Sequence, residues 1–129
     1  MAPREIRHDV LVVDSGPVAR ELALAALAHA GYVAAGAGTA RQALELVAER
    51  SFRLVVADVL APALTDCTFV RWLQDNQRLP LLLAIGPVPD ELLDEALALP
   101  VRELIGKPYV PAALSAAVGR EIAVDVPLI

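Results

Sequence analysis

The chain has a single cysteine, Cys67, so no internal disulfide can form and nothing points to an oxidising compartment. Aromatic residues make up only 4% of the 129 residues, which leaves Leu, Val and Ala to build nearly the whole core. Basic residues are outnumbered. Eleven Lys and Arg against sixteen Asp and Glu give a net charge of −5, and the basic patch of a nucleic-acid-binding surface is missing. The N-terminus, MAPREIRHD, carries mixed charges and no apolar signal-peptide core. Leu22 to Ala40 contains no Asp, Glu, Lys or Arg, yet it is rich in alanine and broken by His29, Gly31, Gly36 and Gly38. A spanning helix needs about 20 strongly apolar residues, so this stretch reads as helix, turn and strand. The expectation is a cytoplasmic protein that meets neither membrane nor nucleic acid.

Hydrophobic residues reach 57%, which excludes intrinsic disorder and suits one compact domain over 1–129, with its core at about 8–123. Short aliphatic runs alternate with helical patterns. DVLVVD (Asp9–Asp14), YVAAGA (Tyr32–Ala37), RLVVAD (Arg53–Asp58), LPLLLAIG (Leu79–Gly86) and VRELIG (Val101–Gly106) read as strands. Runs without alternation mark strands buried on both faces. A helix over about Val18 to Ala30 begins after Pro17, with Ser15 or Gly16 as cap, and stops at Gly31. Its inward face is read as Leu22, Ala26 and Ala30. The second helix has Thr39 and Gln42 at capping-box spacing, with Ala43, Leu44, Val47 and Ala48 inward. Further helices follow at about Thr68–Gln77, on Phe69, Trp72 and Leu73, at Pro89–Leu99, and from KPYVP to about Ile122. No linker, repeat or low-complexity tract interrupts this order.

Five β–α units predict a three-layer, doubly wound parallel sheet with right-handed crossovers. Ligands in such sheets bind outside the carboxyl ends of the strands. Asp14 ends the first strand, Asp58 the third, and Lys107 lies just past the fifth. A parallel sheet brings two carboxylates and one ammonium to one crevice.

Asp14 after VLVV, ADVLAP with Asp58 and a proline four residues on, and GKPY with Lys107 before Pro108 together resemble a bacterial response-regulator receiver domain, a module of two-component phosphorelay signalling. The resemblance covers nearly the whole chain. It implies a flavodoxin-like (βα)5 fold with strand order 2-1-3-4-5, a cis Lys107–Pro108 peptide, and a signalling domain rather than an enzyme. Asp58 would be the phosphoacceptor and Lys107 the partner of the phosphoryl oxygens. A sensor histidine kinase or phosphotransfer protein would be the donor. Mg²⁺ would be held by Asp14, Asp58 and the backbone carbonyl of Leu60, with Ser15 as a further oxygen donor. The chemistry asks for these groups because phosphoryl transfer spreads charge over equatorial oxygens, and a lysine and a metal neutralise it.

The departures make the domain atypical. Ser15 stands where the family has its second acid, the direct metal ligand, so Mg²⁺ is expected to be weakly bound or absent. The strand-four hydroxyl falls on Ile85, and no Ser or Thr occurs between Thr68 and Ser115. The aromatic switch position on strand five falls on Leu104, although Tyr109 lies just beyond the lysine. Asp66 replaces a loop glycine. Asp9 is about 16 Å away along its strand at ~3.3 Å per residue and cannot stand in. Asp90 opens at the correct edge, but serves more simply as a negative charge at a helix start.

Three readings follow: an atypical receiver phosphorylated on Asp58, a phosphorylation-independent receiver fold acting as an interaction module, and, more remotely, an FMN- or nucleotide-binding enzyme on the same fold. DSGPVAR lacks a hydroxyl-rich phosphate loop, and no GxGxxG follows the first strand, which weighs against the third. GAGTA (Gly36–Ala40) is read as a turn capped by Thr39, His29 as a favourable helix C-terminal residue, and Cys67 as a helix start. Leu92, Leu104, Leu114 and Val118 are read mostly as core, with an apolar patch for a homodimer through the helix 4–strand 5–helix 5 face.

Overall fold

Each aliphatic run becomes a strand, and the three most apolar runs are buried on both faces. The computed structural model describes residues 6–58, 67–76 and 79–124. The elements run β1 (Ile6–Arg7), β2 (Val10–Val13), α1 (Pro17–His29), β3 (Ala34–Ala37), α2 (Ala40–Glu49), β4 (Arg50–Ser51) and β5 (Leu54–Asp58). They continue with α3 (Cys67–Asp75), β6 (Leu81–Ile85), α4 (Asp90–Leu97), β7 (Val101–Gly106) and α5 (Pro111–Val124). The main sheet has the order β3-β2-β5-β6-β7, all parallel, which is the expected 2-1-3-4-5 arrangement. The two-residue strands β1 and β4 pair beside it, an addition too short for any periodicity to announce. Among the described residues no helix is long and apolar enough to cross a membrane.

The period of two divides the core into two halves. Val10 and Val12 of β2, Leu54 and Val56 of β5, and Leu82 and Ala84 of β6 pack with Leu27 of α1 and Leu114 and Val118 of α5. Leu11 and Val13, with Val55 and Ala57, pack on the other face with Ala43 of α2 and Phe69 and Leu73 of α3. Leu83 and the partly buried Ile85 meet Leu93 of α4 on that second face.

Local sequence explains the helix boundaries. Pro17 occupies the first helical position of α1 and Gly16 is its N-cap. At the far end Gly31 adopts φ +94°, and its N–H donates to the Ala28 carbonyl while Tyr32 N–H reaches Leu27, a Schellman closure that glycine accommodates without strain. The Thr39 hydroxyl accepts from Gln42 N–H at 3.1 Å as expected. Gln42 reaches back to Gly38 N–H at 2.8 Å rather than to the cap residue's own amide.

Two faces differ from the expectation. In α1 the buried residues are Ala23, Ala26 and Leu27, while Leu22 is 40% exposed and Ala30 lies outside the core. The helix is apolar almost all round, so the pattern carries too little contrast to fix its phase. Ala48 of α2 is exposed for the same reason, a small residue whose side neither pattern nor packing decides. Leu27→Ala should cost about 2–5 kcal/mol of stability, whereas Leu22→Ala should stay within about 0.5 kcal/mol. Urea unfolding of both variants checks this, and equal losses would put α1 back in the phase read from its sequence.

Candidate functional site

Register and parity bring the charged residues together. Val13 pairs with Ala57, so the next residues along their strands, Asp14 and Asp58, are neighbours at the carboxyl edge. Each has the parity of Val12 and Val56, which places both on the α1/α5 side. Gly106 closes β7 against Ile85, and Lys107 N–H donates to the Ile85 carbonyl at 2.7 Å, which holds the lysine at the same edge. The Lys107–Pro108 peptide is cis, as the sequence reading expected.

The Lys107 ammonium lies between the two acids, 2.8 Å from Asp14 Oδ2 and 2.9 Å from Asp58 Oδ2. Asp14 is 0% exposed and Asp58 5%, so both carboxylates are withdrawn from water and depend on this cation. Burial pulls the Lys107 amine down. Its hydrogen bonds to Asp14 and Asp58, with the charges of both, outweigh that and leave it above the ordinary lysine value. The ammonium is therefore fixed at neutral pH.

Two further groups complete the surroundings of Asp14. Gly16 N–H, at the start of α1, donates to Oδ1 at 2.9 Å. The buried Tyr109 hydroxyl donates to Oδ2 at 3.0 Å, and Lys107 Nζ sits 5.4 Å from the centre of the Tyr109 ring. Burial, followed by the Asp14 charge, pushes this phenol well above its usual range, so it keeps its proton and acts as a donor. This role of Tyr109 was not legible from the sequence beyond its position after the lysine. A phenol placed two residues past a lysine that reaches a buried acid was the one available signal.

Arg20 of α1 donates to the Asp14 backbone carbonyl at 2.8 Å. Its side chain crosses β3 where the chain has no Cβ. A Cβ at Gly36 would lie 3.1 Å from Arg20 Cγ and one at Gly38 2.8 Å from Arg20 Nη1. The GAGTA turn is thus also the track for this arginine. Above the charged floor opens a cleft of ≈ 520 Å³, walled by Val18, Ala19 and Leu22 of α1 and by Gly86, Pro87 and Pro108.

The remaining sequence candidates are placed as follows. Ser15 is exposed. Ile85 is partly buried against Leu83, Val88 and Leu93 and offers the site only its backbone carbonyl. Leu104 is 50% exposed on β7. Leu114 and Val118 are wholly buried core residues and contribute nothing to a surface patch. Asp90 is exposed in the first turn of α4 and is not part of the cleft wall. Asp9 caps the opposite edge, accepting Val33 N–H at 2.7 Å. Leu60 and Asp66 lie outside the described residues, as does the Leu92 side chain.

Mg²⁺ takes octahedral oxygen ligands and usually one or two carboxylates with several waters. Among the described residues no three His, Cys, Asp or Glu groups come together. Both oxygens of the fully buried Asp14 already accept hydrogen bonds from protein donors. Asp14 and Asp58 are carboxylates of the kind this ion takes, but the cation between them here is the Lys107 ammonium.

A family model described as the response regulator receiver domain matches residues 10–119. Among solved structures, the signal receiver domain of a signal transduction histidine kinase from Syntrophus aciditrophicus aligns with a TM-score of 0.77 at 22% identity, over 94% of this chain and 98% of that one. The chemotaxis response regulator CheY4 of Vibrio cholerae gives 0.73 at 25% identity, over 91% and 98%. The signal receiver domain of an HD domain-containing protein from Pseudomonas fluorescens Pf-5 gives 0.77 at 23%, over 93% and 96%. A comparison with curated proteins gives no match.

Lys107→Met should destabilise the fold by about 3–5 kcal/mol at neutral pH, because it removes the cation shared by two buried carboxylates. Lys107→Arg, which keeps the charge, should lose less. Urea midpoints decide the matter, and an unaffected Lys107→Met protein would mean that the acids do not need the ammonium.

Proposed function

The chain belongs to the response regulator receiver domain family of two-component signalling, and from that premise we propose that Asp58 is its phosphoacceptor. The observation that supports this reading is the Lys107 ammonium, 2.9 Å from Asp58 Oδ2 beside a cleft open at the carboxyl edge of the sheet. An Asp58 oxygen attacks the phosphorus of a phosphohistidine on a sensor kinase or phosphotransfer protein. The P–N bond breaks, the O–P bond forms, and the imidazole leaves with the electron pair. Lys107 is already where the equatorial oxygens arrive and neutralises their charge. With Ser15 in place of a second acid and Asp14 enclosed, Mg²⁺ contributes weakly or not at all, and transfer is slow. The domain receives a signal rather than turning over a substrate, and at most assists its own phosphorylation.

A second reading has its own support at the output end. Ile85 offers no hydroxyl to a phosphoryl group, and the exposed Leu104 offers no aromatic switch. A receiver fold with these substitutions serves as a phosphorylation-independent interaction module. A homodimer through the α4–β7–α5 face would use Leu97 and Leu104, both about half exposed.

Intact mass after incubation with acetyl phosphate and Mg²⁺ separates the two. A slow phosphoryl adduct on the wild type that is lost in Asp58→Asn is the expected result. No adduct at all, or one that survives Asp58→Asn, would refute the acceptor role and leave the interaction module standing.

A further inference from the structure

A divalent cation that approaches Asp14 meets protein donors on both carboxylate oxygens. Oδ1 is held by Gly16 N–H at 2.9 Å, and Oδ2 by Lys107 Nζ at 2.8 Å and Tyr109 Oη at 3.0 Å. A carboxylate offers about four lone-pair positions, and three are occupied here in a side chain with no solvent exposure. Gly16 is bound by the geometry of the α1 start, and Lys107 is shared with Asp58. Tyr109 is the donor with no second carboxylate to serve, yet its ring also lies against the Lys107 ammonium at 5.4 Å.

We propose that Tyr109 is a positioning residue that closes Asp14 to divalent metal and seats Lys107 as the permanent counter-cation of Asp58. The inference rests on the receiver reading for the meaning of the site, but concerns metal binding and not phosphorylation. On this view the missing acid at Ser15 is only half of the change. A metal that reached the cleft would still find Asp14 spoken for. The phenol thereby stabilises a site assembled without metal, around one lysine shared by both acids.

Titration of Mn²⁺, the probe for the divalent site, followed by electron paramagnetic resonance tests this without reference to phosphoryl transfer. Tyr109→Phe deletes only the hydroxyl and should tighten Mn²⁺ binding about tenfold, the worth of one hydrogen bond to a charged group. Ser15→Asp in the wild-type background should also tighten binding, which shows that the assay reports this site. A folded Tyr109→Phe protein that binds no more tightly than the wild type, while Ser15→Asp does, overturns the proposal. If Tyr109→Phe does not fold, the wild type decides. With 3-fluorotyrosine at its two tyrosines, assigned through Tyr32→Phe, the Tyr109 fluorine signal should not move with added Mg²⁺. A saturating shift of that signal would show that metal displaces the phenol. The adduct on Asp58 can succeed or fail independently of either result.

Discussion

One ammonium held between two buried carboxylates is the interaction on which the rest of this edge depends. Asp14 and Asp58 come from adjacent strands, and each would cost several kcal/mol to bury alone. Lys107 reaches both from the far side of the sheet, two strands beyond β5. The parallel topology makes this possible because it turns every strand's carboxyl end to the same side. The demand then spreads outward. Gly16 must start α1 where its N–H meets Asp14, the Lys–Pro–Tyr turn must bring Tyr109 under the lysine, and Arg20 must brace the Asp14 backbone.

The parts of the fold that were legible in the sequence share a physical cause. VLVV, LVVAD and LLLAI have no polar alternative to burial, so they could only be inner strands, and their ends located Asp14 and Asp58. Pro17, Gly31 and Thr39 act through backbone geometry within a turn of themselves, and they too behave as read. Phase failed where side chains are small. Alanine contributes little to either face, so α1 could turn Leu22 or Leu27 inward, and only packing against β2 and α5 selects Leu27. Leu114 and Val118 were partly assigned to a surface, because an apolar residue does not reveal which neighbour covers it. Tyr109 escaped because the strand ends locate only the charged residues, and its role is that of a buried neutral donor.

The substitutions are not spread evenly over the site. Asp58, Lys107 and Asp14, which hold one another, are retained. Ser15, in solvent, and Ile85 and Leu104, which make no part of the charged network, depart from the family pattern. The end of the domain that would capture a phosphoryl group thus keeps its fixed charges. Between the cleft and the α4–β7–α5 face stand the partly buried Ile85 and the half-exposed Leu104.

Asp14 has no idle polar atom. Its N–H donates to Ala37, its carbonyl accepts from Arg20, one carboxylate oxygen accepts from Gly16, and the other from Lys107 and Tyr109. Only a carboxylate offers acceptors to all three side-chain donors, since an amide would turn an N–H₂ toward the ammonium or the phenol. Replacement of Asp14 therefore carries a folding cost whatever its signalling role. The same holds for Lys107 while both acids stand. Such a site ties its centre to the fold: the exposed Ser15 stands outside the network, whereas Asp14, Asp58 and Lys107 each answer to the others.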